Sequence, residues 1–303
     1  MRWGDFRRSD NVEDRTEGMP EGAGGGSPIG GLHIGGGALI ILVIVGMLFG
    51  INPLEMLGLL SGDNGAVQQA PSAAPPGYGP QTGTTAPSSA AAVNKDFSRA
   101  VLGDTEDVWG AIFKAMGSRY AAPTLVLYRG ATRSACGRAS AAVGPFYCPA
   151  DHDLYLDTSF FEELRTRFGA PGEFAQAYVI AHEVGHHVQT LLGTMDKAEA
   201  EMQRGDERAR NALSVRLELQ ADCYAGVWGF YAQKRNIIDT GDIDSGMRAA
   251  AAVGDDRIQK RTQGYVVPDS FTHGSAEQRT RWFRTGLQSG DLRDCDTFKT
   301  RSP

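Results

Sequence analysis

Positive charge is in short supply: 30 Lys and Arg against 36 Asp and Glu leave a formal charge of −6. That balance excludes a broad electrostatic grip on nucleic acid. Cysteine is scarcer still, with four in 303 residues and no C-x-x-C pair, so a zinc finger is out. Long hydrophobic runs are missing apart from one, which together with 22% charged residues excludes a polytopic membrane protein. A hydrophobic content of 41% excludes a wholly disordered chain. Glycine is plentiful at 39 but gathers near the N-terminus without a G-X-Y period, so collagen is excluded too.

What is present divides the chain sharply. Residues 1–28 are polar and Gly-rich, with Arg2, Arg7, Arg8 and Arg15 among Asp10, Glu13 and Asp14. No helical or strand period runs through them, and they read as an unfolded tail. The stretch IGGGALIILVIVGMLFGI, residues 34–51, carries no charge over 18 positions and just spans a hydrocarbon core of about 30 Å. A buried core helix would not sit between a Gly-rich and a Pro/Ser/Ala-rich segment, and a secretory leader would not follow more than 30 residues of chain. We therefore expect one transmembrane helix over 29–51. Four Arg precede it and no Lys or Arg follows until Lys95, which predicts a cytoplasmic N-terminus with the rest outside. Residues 52–93, with five prolines inside 61–93, read as a linker. The remaining 94–303 suffice for one globular domain.

All four cysteines, Cys136, Cys148, Cys223 and Cys295, fall in that domain. Their even number and expected location outside the cytoplasm predict two disulfides, most simply Cys136–Cys148 and Cys223–Cys295. The pattern predicts an α+β domain, mainly helical with a small antiparallel sheet. TLVLY (124–128), GPFYC (144–148) and LYLD (154–157) have strand character, the last two joined by a turn at 149–151. Ser159 and Ser275, each followed by Glu or Gln three residues later, have capping-box spacing.

The chemistry concentrates in His-Glu-Val-Gly-His, residues 182–186. Pro171 suits the first turn of a helix and Gly193 its stop, while Phe174, Tyr178, Ala181, Gly185, Val188 and Leu192 recur at steps of three and four. On such a helix His182 and His186 are one turn apart, about 40° around the axis, so both imidazoles can bind one tetrahedral zinc. Glu183 points elsewhere, free of the metal yet within reach of its water, the placement a general base requires. An accidental match is roughly a one-in-a-hundred event at this histidine content. A third ligand is offered by Glu218, 32 positions beyond His186 in Leu-Glu-Leu-Gln-Ala-Asp. Asp222, one turn further on, can accept the free N–H of a ligand imidazole.

HEVGH followed by ELQAD resembles the zinc-dependent gluzincin peptidases. More closely, MRWGDFRRSDNVED, CGRASAAVGPFYCPADHDLYLD, AHEVGHHVQ, ELQADCYAG and FTHGSAEQR are similar to the bacterial membrane-anchored neutral zinc metallopeptidase family. The resemblance implies a zincin-like fold, one Zn2+ per chain, peptide or protein substrates, and a place in the bacterial inner membrane. The insertion over 195–210 is longer than in compact gluzincins and is expected to shape the cleft. His273 has two readings, an oxyanion donor in catalysis or an anchor for its own loop. His187 points about 100° from His186 and reads as structural. Asp255 and Asp256 read as partners of Arg257 and Arg248 rather than ligands of a second cation. The strand 154–157 is expected to present an edge to an extended peptide. Two other functions fit the same residues: a zinc-binding scaffold without turnover, and a hydrolase of a non-protein amide such as a cell-wall crosslink.

Overall fold

LVLY is apolar at every position, the pattern of a strand covered on both faces. In the computed structural model, which describes residues 1–16, 89–140, 143–239 and 241–303, it forms an interior strand with every residue buried. Strands β1 (Val12–Arg15), β2 (Leu125–Tyr128), β5 (Phe146–Cys148) and β6 (Asp153–Asp157) build a sheet in the order β1-β2-β6-β5. The sheet is mixed rather than antiparallel, because β1 and β6 both run parallel to β2 and only the β5–β6 hairpin is antiparallel. That hairpin puts β6 inside, so the edge strands are β1 and β5 and not 154–157. A separate hairpin, β3 (Ala131–Ser134) with β4 (Gly137–Ser140), carries Cys136 in its turn, and the Cys136–Cys148 disulfide staples it to the end of β5.

The first sixteen residues are not an unfolded tail. β1 pairs with β2 from Val12 opposite Leu125 to Arg15 opposite Tyr128. Ahead of it, Arg7 donates to Glu106 (2.6 Å), Arg8 makes a two-pronged contact with Asp96 (3.0 and 2.7 Å), and the Ser9 hydroxyl donates to Glu106 (2.6 Å). Both carboxylates belong to α1 (Ser89–Ala115), which begins inside the stretch assigned to the linker. Its alanine-rich start lacks apolar bulk but favours helix strongly. The predicted transmembrane helix and most of the linker lie outside the described residues. Among the described residues, no helix is long and apolar enough to cross a membrane.

The helical layer consists of α2 (Phe160–Thr166), α3 (Glu173–Leu191), α4 (Thr194–Met202), α5 (Glu207–Lys234), α6 (Asp242–Ala252), α7 (Asp255–Gln263) and α8 (Ala276–Ser289). α5 runs through its centre, between α3 on one side and α8 on the other. Glycines permit both approaches. A side chain at Gly185 would come within 2.9 Å of the Ala221 carbonyl oxygen, and one at Gly286 would overlap that of Cys223. Gly185, inside His-Glu-Val-Gly-His, is therefore what lets α3 lie against α5. The Cys223–Cys295 disulfide fastens α5 to the C-terminal segment.

Two helix starts differ from expectation. The Ser159 hydroxyl donates to Asp157 (2.6 Å) instead of capping α2, and Pro171 precedes the helix, which Gly172 opens. Ser275 does form its capping box with Gln278, and Gly193 and Gly264 follow α3 and α7 in the left-handed conformation.

Candidate metal centre

α3 presents His182 and His186 from adjacent turns, with ring centroids 4.8 Å apart. From α5, Glu218 approaches both: its Oε2 lies 3.2 Å from His182 Nε2 and its Oε1 3.4 Å from His186 Nε2. One ligating atom from each of the three residues falls within 4.8 Å of the others, and all three side chains are buried. Two imidazole nitrogens and a carboxylate converging on one point are a zinc donor set. The carboxylates of Glu183, Glu218 and Asp222 gather at the site with the Arg279 guanidinium beside them.

The predicted second carboxylate is in place. Asp222 Oδ1 lies 2.9 Å from His182 Nδ1, fixing the tautomer that leaves Nε2 free for metal. Arg279 grips Asp222 through Nε and Nη2 (2.8 and 2.9 Å), and the Tyr178 hydroxyl donates to it at 2.5 Å. Burial alone would raise the Asp222 pKa, but Arg279 and His182 outweigh it and hold the carboxyl below its usual range. Glu218 behaves likewise: burial opposes ionisation, and His273, His186 and His182 overcome it. Burial raises the Glu183 carboxyl, a shift that suits a proton acceptor. Tyr178 appeared in the sequence only as part of an apolar stripe, and Arg279 only as the last residue of FTHGSAEQR. Neither has a spacing signal, since their partners sit 44 and 57 positions away.

His273 lines the cleft together with His182, Glu183 and Glu218. Its loop is held by Asp255, whose Oδ2 accepts the backbone N–H groups of Thr272, His273 and Gly274 (2.7, 2.7 and 3.0 Å). Asp255 Oδ1 also lies 3.3 Å from His273 Nδ1. Burial would lower the His273 pKa, yet Glu218 and Asp255 raise it, favouring the cationic donor form. The expected pairing of Asp255 and Asp256 with Arg257 and Arg248 does not occur among the described residues. Main-chain N–H groups occupy both carboxylates, Asp256 accepting from Ala276 at the start of α8 (2.7 Å). His187 is structural as expected: Nε2 donates to the Ala121 carbonyl (2.7 Å), Nδ1 lies 3.3 Å from the Tyr147 hydroxyl, and burial depresses its pKa to about 4.

The rest of the cleft wall is apolar, with Pro145, Phe146, Phe160, Val179, Met195 and Val253 among its lining. Met195 comes from the 195–210 insertion, which does shape the cleft. Phe146 and Tyr147 bring the edge strand β5 to its rim.

Over residues 1–298 the chain matches a family model described as "Putative neutral zinc metallopeptidase". It is 45% identical over 302 residues to "Uncharacterized protein YpfJ" of Escherichia coli (strain K12), covering 98% of this chain and 99% of that one. It is 49% identical over 199 residues to "Uncharacterized protein Rv2575" of Mycobacterium tuberculosis (strain ATCC 25618 / H37Rv), covering 62% of this chain and 66% of that one. No solved structure matches the chain.

Proposed function

The chain belongs to the neutral zinc metallopeptidase family, and from that premise we propose that it is a zinc-dependent endopeptidase. The carrying observation is the convergence of His182, His186 and Glu218 in an apolar cleft with Glu183 beside them. Those three residues would hold the metal. When bound, zinc supplies Lewis-acid activation, lowering the pKa of a coordinated water towards 7. Glu183 takes the proton as water adds to the substrate carbonyl and returns it to the departing amine. His273, aimed by Asp255, donates to the oxygen that gains negative charge. Asp222, locked by Arg279 and Tyr178, keeps His182 in the required tautomer. The β5 edge, rather than β6, is positioned to pair with an extended peptide. The apolar run at 34–51 supports attachment to a membrane, and the two disulfides support an oxidising compartment outside the cytoplasm.

The test is Glu183→Gln in the full-length protein, with casein and peptidoglycan fragments as parallel substrates. We expect stoichiometric zinc and casein turnover reduced by about 10²–10⁴. A variant that keeps zinc and full activity overturns the role of Glu183. Cleavage of peptidoglycan fragments but not casein favours the cell-wall reading, and zinc without turnover of either favours a scaffold.

A further inference from the structure

His182 and His186 are positioned by different means. The first rests on a carboxylate; the second meets a neutral amide, with His186 Nδ1 2.9 Å from Gln189 Oε1. Which end of that amide faces the imidazole is decided by its other partners. The opposite terminal atom lies 2.7 Å from the Leu217 carbonyl oxygen, which can only accept, so it must be the NH2 group. The atom facing His186 is then the amide oxygen, and His186 Nδ1 must carry the hydrogen. A neutral imidazole with Nδ1–H presents a bare Nε2, and that nitrogen is the one beside Glu218.

The chain of constraint continues. The Gln189 NH2 also reaches Gln220 Oε1 (3.1 Å), and the Gln220 NH2 donates to the Cys295 carbonyl (3.0 Å). Two main-chain carbonyls, at Leu217 and Cys295, therefore dictate both amide orientations. His186, Gln189, Gln220 and Cys295 are all buried, Gln189 at 0% exposure, so losing a partner leaves a buried polar atom poorly compensated. Leu217 immediately precedes the third ligand. Cys295 is bonded to Cys223, the residue after Asp222.

We infer that Gln189 is a positioning residue for the metal, which sets the ligating tautomer of His186 and is itself set by Gln220 and the disulfide-fastened C-terminal segment. The inference rests on zinc occupying the site proposed above. It is tested in the full-length protein by zinc competition against a chromophoric chelator, and by 15N NMR of the His186 ring in the metal-free state. Gln189→Met, of similar length and without the amide, is expected to weaken zinc binding about 10–100-fold. The His186 Nδ1–H resonance, hydrogen-bonded to the Gln189 amide in the parent, should lose that hydrogen-bonded signature. Gln220→Met, which leaves the His186 contact but removes the tether, is expected to weaken binding about threefold or more, and it carries the test if Gln189→Met does not fold. Zinc affinities within twofold of the parent in the folded variants, with an unchanged His186 signature, overturn the inference. A parent chain that binds no zinc overturns the metallopeptidase reading instead.

Discussion

His187 makes a sharp test because it neighbours a metal ligand yet should behave oppositely to one. Its imidazole is 1% exposed and its pKa is depressed from 6.5 to about 4, burial being the main cause. In the unfolded chain it takes up a proton near pH 6.5; in the folded chain it resists until about pH 4. Between those values the unfolded state binds more protons, so stability falls as the pH falls. The contribution is fully present above pH 6.5. At about 1.4 kcal/mol per pH unit, about 2 kcal/mol is lost by pH 5 and about 3 kcal/mol by pH 4. The perturbation is His187→Gln, which keeps a donor for the Ala121 carbonyl but does not titrate. Urea unfolding of parent and variant, both stripped of metal, at pH 7, 6, 5 and 4 isolates this group, because every other titration is common to the two. The parent should lose about 3 kcal/mol relative to the variant across that range. A parent–variant difference constant to within about 0.5 kcal/mol, near the limit of the extrapolation, would refute the depressed pKa and the dry pocket behind it.

Two further outcomes follow from the packing. Asp255→Asn weakens the three main-chain contacts that shape the His273 loop, so kcat/KM on a peptide substrate should fall about tenfold or more with zinc content unchanged. Unaltered kinetics would remove His273 from the reaction. Gly286→Ala drives a methyl group into the Cys223 carbonyl and should cost about 2–3 kcal/mol in urea unfolding, with loss below about 0.5 kcal/mol contradicting the close α5–α8 approach.

The zinc helix was legible because it rests on a local rule: residues four apart share a helix face, and HEVGH is spaced accordingly. Glu218 and Asp222 followed from the same rule applied to a second helix. The disulfides followed from counting. What local spacing cannot register is a partner supplied from far along the chain. Arg279 and Gln189 look like ordinary polar helix residues until α3, α5 and α8 are brought together. β1 reads as a charged tail because its sheet partner lies more than 100 residues away and its arginines find Glu106 and Asp96 only in three dimensions. The strand at 154–157 was seen, but its place within the sheet depends on β2, and sequence order alone left it at the wrong position.

The docking of β1 makes the opening of the chain a structural part of the domain. Residues 1–16 are joined to the domain by the ladder between β1 and β2 and by arginine–carboxylate contacts to α1. Removing them would strip β2 of its neighbour and leave Glu106 and Asp96 without the guanidiniums of Arg7 and Arg8. A truncation that begins after residue 16 is therefore a cut through the fold rather than the trimming of an appendage.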